Sequence, residues 1–208
     1  MNFVLSDILV VVSVLLCIMV LGRFMGLIPY LTDSFRRVRG SVALEGSIRV
    51  RQDRNLVALS LVIPAILLVW RYRLYNPELI DGLDSDIRLC AVAMALSAFV
   101  LFRKLMYMLL RPRRGKENFS HAYRVAFTYF IFLMIFLLLM VGILSLAEVE
   151  DAVVRWVLYG ASAFVYLLFL HRFLQILSLS CNPLRTFLYL CGLEILPLSL
   201  LIVSGIVL

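Results

Sequence analysis

Six runs of mostly apolar residues divide this chain, and each is about long enough to cross a bilayer as an α-helix. A hydrocarbon core about 30 Å thick needs about 20 helical residues, because a helix rises about 1.5 Å per residue. Of the 208 residues, 63% are hydrophobic and 16% are charged, whereas a soluble domain is roughly half apolar and about 25% charged. The sequence therefore predicts an all-α fold, a polytopic membrane helical bundle of about six transmembrane helices.

The apolar runs give approximate bounds for the helices. The predicted spans are 8–22, 56–75, 89–110, 125–147, 152–179 and 184–208. No internal repeat or low-complexity linker separates them, so we predict a single transmembrane domain over 1–208. Pro64, inside the second span, removes one backbone hydrogen bond and is expected to kink that helix.

The longest polar stretch, 23–55, is predicted to be a basic connection on the cytoplasmic side. Apolar side chains accompany its arginines, so we expect it to be partly ordered along the membrane interface. These side chains are Phe24, Met25, Leu27, Ile28, Tyr30, Leu31 and Phe35.

The basic residues are unevenly distributed between the two ends of the spans. Sixteen of the 20 Lys and Arg residues fall in the first, third and fifth connections. By the positive-inside rule these connections are cytoplasmic, which places both termini outside. The expected partner at the cytoplasmic face is a lipid bilayer with anionic head groups, since each basic residue near such a surface contributes about 1 kcal/mol. Nucleic acid is not an expected partner.

The four cysteines show no CxxC spacing. Cys17, Cys90, Cys181 and Cys191 lie in or beside apolar runs. We interpret them as small buried hydrophobic residues.

Recognised catalytic and cofactor motifs are absent from the sequence: it contains no phosphate loop, dinucleotide fingerprint, HExxH or nucleophile elbow. The two histidines, His121 and His171, could hold a b-type haem between neighbouring helices. The alternative, an interfacial His121 and a hydrogen-bonded His171, needs no cofactor and is preferred. We predict no catalytic residue, metal or cofactor, and an enzyme is less expected than a non-enzyme.

The main candidate for a functional residue is Glu194. It lies ten residues after Leu184, which is about 15 Å into the membrane. A carboxylate at that depth costs roughly 2.5–3.5 kcal/mol, and such residues usually face the bundle interior. Pro197 leaves the Leu193 carbonyl without its helical donor. Glu194 either fixes helix packing or takes part in transport or partner binding.

Charge pairing predicts a partner for this glutamate. Reflecting the last two spans about a turn near Cys181 places Glu194 level with about Phe169, less than one helical turn from Arg172. Arg172 is therefore the predicted partner, with His171 as the second choice. Arg103 and Lys104, near the end of the third span, either snorkel from within the membrane to the interface, which we prefer, or mark where the span gives way to an interfacial turn ending at Leu110.

The segment 182–198 carries a recognisable pattern. It includes Leu188-Tyr189-Leu190-Cys191-Gly192-Leu193-Glu194-Ile195-Leu196-Pro197-Leu198. This LYLC-x-LEI-x-PL pattern resembles the C-terminal signature of an uncharacterised family of Bacteroidota polytopic inner-membrane proteins, a domain of unknown function. The resemblance implies a multi-pass protein of the bacterial inner (cytoplasmic) membrane. It directs attention to Tyr189, Cys191, Glu194 and Pro197, and implies no substrate or cofactor.

Three functions are compatible with these features. The first is a non-enzymatic subunit or assembly partner of a larger membrane complex, favoured by small-residue packing faces and basic connections. The second is a small proton- or ion-coupled transporter using Glu194 as its intramembrane site. The third is an intramembrane enzyme acting on lipid head groups, with His171, Arg172 and Arg103 beside the head group.

Overall fold

The computed structural model describes residues 5–36, 48–77, 82–110, 116–178 and 182–207. Within these ranges the chain is almost entirely helical and contains no strand. Six helices in the described part are long and apolar enough to cross a membrane. The all-α class and the number of spans are confirmed.

The helices are numbered here in chain order. They are α1 (Leu5–Arg36), α2 (Ile48–Ser60), α3 (Val62–Arg71), α4 (Ser85–Leu109), α5 (Lys116–Leu146), α6 (Asp151–Ser178), α7 (Pro183–Leu190) and α8 (Leu196–Val207). A π-helical segment, Cys191–Ile195, joins α7 to α8. The second span consists of α2 and α3, and the sixth consists of α7, the π-helical segment and α8.

The first helix is longer than the sequence suggested. It continues through Pro29 to Arg36, and α2 begins at Ile48, so the predicted connection over 23–55 is wrong in its bounds. The predicted order is present up to Arg36, where the chain is helical, and its position along a membrane surface stays a prediction. Leu27 and Leu31 are one helical turn apart, and they are buried in the α1–α2–α5 core. Residues 37–47 lie outside the described part.

The second span is not one continuous helix. Its helix is interrupted at Leu61, between Ser60 and Val62. Pro64 has no N–H, so it cannot donate to the carbonyl four residues earlier, at Ser60. The interruption therefore falls where the sequence predicts a kink.

The bundle is organised around α5 and α6, which pack along much of their length. One apolar cluster joins α4, α5, α6 and α7 around Phe169, Phe173 and Leu193. A second joins α1, α2 and α5 around Leu27 and Ile131. A third joins α3, α5 and α6 at the other end of the bundle. Each cluster includes α5, which makes this helix the centre of the fold.

The cysteines are less buried than predicted. Cys90 is exposed, and Cys17 and Cys191 are partly exposed; all three are free thiols. The prediction of burial is wrong because the outer surface of a membrane bundle faces lipid, where a small apolar side chain is equally stable. Cys181 lies outside the described residues.

Candidate functional site

The last span carries its carboxylate on an irregular stretch of helix. Glu194 lies in the π-helical segment, in which the N–H of Leu196 donates to the carbonyl of Cys191, five residues earlier. Pro197 follows at once and lacks the N–H that would continue the regular α-helical pattern. The wider turn changes which side of the span Glu194 faces, as π-bulges do. Its side chain is almost fully buried, with the residue 4% exposed.

Arg103 of α4 is the ion-pair partner of Glu194. The Nε of Arg103 donates to Oε2 of Glu194 at 3.1 Å, and Nη2 donates to Oε1 at 2.6 Å. This two-point geometry is the strongest form of Arg–carboxylate contact. The pair joins the third span to the sixth in the interior of the bundle.

Aromatic side chains complete the surroundings of the pair. The hydroxyl of Tyr107 donates to Oε1 of Glu194. The guanidinium of Arg103 lies 5.3 Å from the ring centre of Tyr107 and 5.7 Å from that of Phe169. Both distances allow cation–π attraction. The carboxylate therefore accepts three hydrogen bonds, and two aromatic rings lie within cation–π distance of the guanidinium.

The predicted pairing of Glu194 with Arg172 is wrong. Arg172 donates from Nη1 to Oε1 of Gln175 at 2.9 Å, and His171 Nε2 lies 2.9 Å from Nε2 of the same Gln175. Counting residues placed Glu194 level with Phe169. The Phe169 ring does lie near the ion pair, because it is close to the guanidinium of Arg103. Counting residues gives the depth of a side chain but not the rotation of its helix about the helix axis. The direction in which Glu194 points was therefore not predicted, and the cation that it meets comes from α4.

The expectation that Arg103 snorkels to the interface is also wrong. Side chains in a helix tilt toward its N-terminus. In α4 that direction leads away from Leu109 and toward the middle of the span, where Glu194 lies. Arg103 therefore points inward and its side chain remains only 19% exposed. Lys104, by contrast, is exposed.

The remaining candidates lie around the pair without joining it. Tyr189 packs edge-on against Phe119, with ring centres 5.6 Å apart. Cys191 belongs to the π-helical segment and is partly exposed. Pro197 is buried. Of the three residues of the lipid-enzyme hypothesis, Arg103 contacts Glu194, whereas His171 and Arg172 both contact Gln175.

Sequence reasoning missed three polar residues. Tyr107 lies four residues after Arg103, a spacing that places both on one helix face, so this signal was available. Tyr166 lies within electrostatic reach of Glu194 and Arg103. Its hydroxyl is buried and has no hydrogen-bond partner among the described residues. Arg54 of α2 is 1% exposed, with its guanidinium 5.8 Å from the ring centre of Phe127.

Among the described residues, no group of three or more His, Cys, Asp or Glu side chains is placed to hold a metal ion. Comparisons with known protein families, curated proteins and solved structures find no match to this chain. The resemblance of segment 182–198 to a Bacteroidota family therefore stays a prediction.

Proposed function

We propose that this chain is a non-enzymatic, multi-pass protein of the bacterial inner membrane that serves as a subunit or assembly partner of a larger membrane complex. Both termini face the periplasm in this proposal, and the basic connections face the cytoplasm and its anionic lipid head groups. Two features of the bundle support it, one in its interior and one on its surface.

The interior feature is the ion pair that Glu194 forms with Arg103. Its carboxylate accepts hydrogen bonds from Arg103 and Tyr107, and two aromatic rings lie within cation–π distance of the guanidinium. A buried charge with a close partner fixes the packing of the helices that carry it, and losing one partner costs about 3–5 kcal/mol. This observation carries the proposal, because it gives the intramembrane glutamate a scaffolding role without a substrate.

The surface feature is the weak packing of α1 within the chain. Only 6% of its most apolar window is buried, against 33% for the second span. Gly22 and Gly26 are exposed and four residues apart, and a Cβ built on either meets nothing within 4 Å. Small residues at this spacing let a second transmembrane helix approach closely. The surface of α1 thus suits a transmembrane helix of a partner protein.

The test is affinity purification of the full chain from its native membrane in mild detergent, with quantitative mass spectrometry. We expect a partner at fixed stoichiometry that is lost from Gly22→Leu/Gly26→Leu, since the open space at both positions leaves the monomer fold intact. The matched control, Val11→Leu, changes an exposed apolar position of α1 and should keep the partner. A chain that purifies alone, or only with copies of itself, contradicts the proposal.

The π-helical segment favours one second candidate, a proton- or ion-coupled carrier. Interrupted helices with a midplane carboxylate are common in transporters, and π-bulges often mark functional sites. Reconstituted protein would then show proton or cation flux that Glu194→Gln abolishes and Arg185→Gln leaves unchanged. Without flux in the wild-type chain, the carrier hypothesis is rejected.

A further inference from the structure

We propose that His171, Gln175 and Arg172 form a proton-sensitive switch near the C-terminal end of α6, in which protonation of His171 breaks the hydrogen-bond arrangement around Gln175. The three side chains are neighbours on one helix surface, because Gln175 lies three residues after Arg172 and four after His171. The switch goes beyond the proposed role as a complex subunit, since it needs no partner protein.

Arg172 fixes the orientation of the side-chain amide of Gln175. Nη1 of Arg172 donates to Oε1 of Gln175 at 2.9 Å. A guanidinium has N–H donors and no acceptor, so only the amide oxygen can face it. The amide nitrogen of Gln175 is thereby turned toward His171, where it lies 2.9 Å from Nε2 of the ring.

The contact with Gln175 determines the protonation state of His171. An amide nitrogen is a donor, and a neutral imidazole has one donor nitrogen and one acceptor nitrogen. Nε2 of His171 therefore accepts the hydrogen bond from Gln175, and the ring proton lies on Nδ1. The arrangement that the structure describes requires neutral His171.

Protonation of His171 places an N–H on both ring nitrogens, so two donors then face each other across the contact. Either the hydrogen bond is lost, or the amide of Gln175 turns over and presents its oxygen to His171. In the second case the amide nitrogen faces the guanidinium of Arg172, which is again a contact between donors. Gln175 can therefore satisfy Arg172 or protonated His171 in this geometry, but not both.

His171 lies where a proton can reach it. Helix α6 has 28 residues and is about 42 Å long, which exceeds the hydrocarbon core by about 12 Å. His171 lies seven residues before Ser178, so a centred helix places it within about one turn of the hydrocarbon boundary. The residue is exposed. Histidine ordinarily changes charge between pH 5 and pH 8, so modest acidification is the stimulus that fits this site.

The helices packed against α6 offer protonated His171 no acidic partner among the described side chains. On α5, α7 and the π-helical segment, the acid described is Glu194, which is paired with Arg103. The other titratable or charged side chains described toward this end of α6 are His121, Tyr123, Arg124, Tyr129, Arg185 and Tyr189. None of them forms an ion pair or hydrogen bond with His171 in the described part of the chain.

Arg172 connects the switch to the interior of the bundle. It is 7% exposed, and its guanidinium interacts with the hydroxyl of Tyr129 on α5. A buried donor that loses its acceptor is costly. Protonation of His171 should therefore weaken the packing of α6 against α5, the central helix of the fold.

The test is the Tm of the purified full chain in one detergent, measured between pH 8 and pH 5.5. The wild-type Tm should fall by about 2–4 °C, the shift expected for one hydrogen bond in a chain of this length. His171→Gln should remove the fall, because its amide oxygen can accept from Gln175 at every pH. His121→Gln, the matched control at the other histidine, should retain it.

Gln175→Glu should reverse the sign of the pH dependence. A carboxylate accepts from Arg172 and from protonated His171 alike, so the Tm of this variant should rise as the pH falls from 8 to 5.5. A second measurement uses nitrogen-15 NMR of the ring nitrogens. The sequence contains two histidines, so His121→Gln leaves the signals of His171 alone, and at pH 8 they should show the proton on Nδ1.

Three results would overturn the proposal. The first is a wild-type Tm that falls no more than that of His171→Gln. The second is a Gln175→Glu variant whose Tm falls as the wild-type Tm does, and the third is a ring proton on Nε2 of His171 at pH 8. None of these measurements involves a partner protein, so failure here is distinct from failure of the proposed function.

Discussion

Breaking the Arg103–Glu194 pair should destabilise the protein more than removing it whole. Arg103→Met leaves a glutamate whose side chain is only 3% exposed, and Glu194→Met leaves an arginine whose side chain is 19% exposed. Each single change should cost about 3–5 kcal/mol, with Glu194→Met at the lower end because Arg103 retains partial access to solvent or lipid. The double variant should lose far less, since apolar replacement of a whole buried pair is often neutral.

The assay is unfolding of the purified chain in one detergent, for the wild type, both single variants and the double variant. We expect a coupling energy of at least about 3 kcal/mol, well above the roughly 0.5 kcal/mol within which independent sites add. The matched control pairs Glu194→Met with Arg172→Met, because Arg172 is buried on a neighbouring helix and bonds Gln175. Those two losses should simply add. If the Arg103 and Glu194 losses add as well, the pair is not a stabilising contact and the argument built on it fails.

Three further predictions use matched substitutions. Tyr107→Phe should cost about 1.5–3 kcal/mol of unfolding free energy, since it removes a hydrogen bond to a charged group. Tyr166→Phe should be neutral or stabilising, because it removes a buried hydroxyl that has no hydrogen-bond partner among the described residues. Equal losses in detergent unfolding would contradict both assignments. Gly26→Ala should stabilise α1 by about 0.5–1 kcal/mol through helix propensity. Gly205→Ala should instead destabilise the protein, because the added Cβ would lie 3.1 Å from the Tyr75 ring. The same unfolding assay compares the two variants. A reporter fused after Leu208 should be active only on the periplasmic side, and cytoplasmic activity there would overturn the topology.

The amino-acid sequence was sufficient to predict the class of fold and the depth of the main candidate residue. Both depend on one-dimensional quantities: the length of an apolar run and the rise of a helix per residue. Glu194 could be placed inside the sixth span and level with Phe169 for that reason. The break near Pro64 was predictable in the same way, since a missing N–H acts on the carbonyl four residues earlier whatever surrounds it.

The sequence was a poorer guide wherever helix ends and polar residues had to be interpreted together. Arginines after residue 22 suggested that the first span had ended, yet α1 continues to Arg36. Its ordered continuation depends on Leu27 and Leu31, which bury against α2 and α5. Tertiary packing of an apolar face extends a helix beyond the point where its average polarity predicts an end.

The partner of Glu194 was decided by the tertiary structure alone. Counting along the chain fixes how deep each residue lies but not the direction in which its side chain points, and several basic residues lie at similar depths. The π-helical segment before Pro197 turns Glu194 toward α4, and the N-terminal tilt of side chains on α4 brings Arg103 and Tyr107 to meet it. Rotation of helices about their own axes depends on how neighbouring surfaces fit together, and that information is spread over the whole bundle.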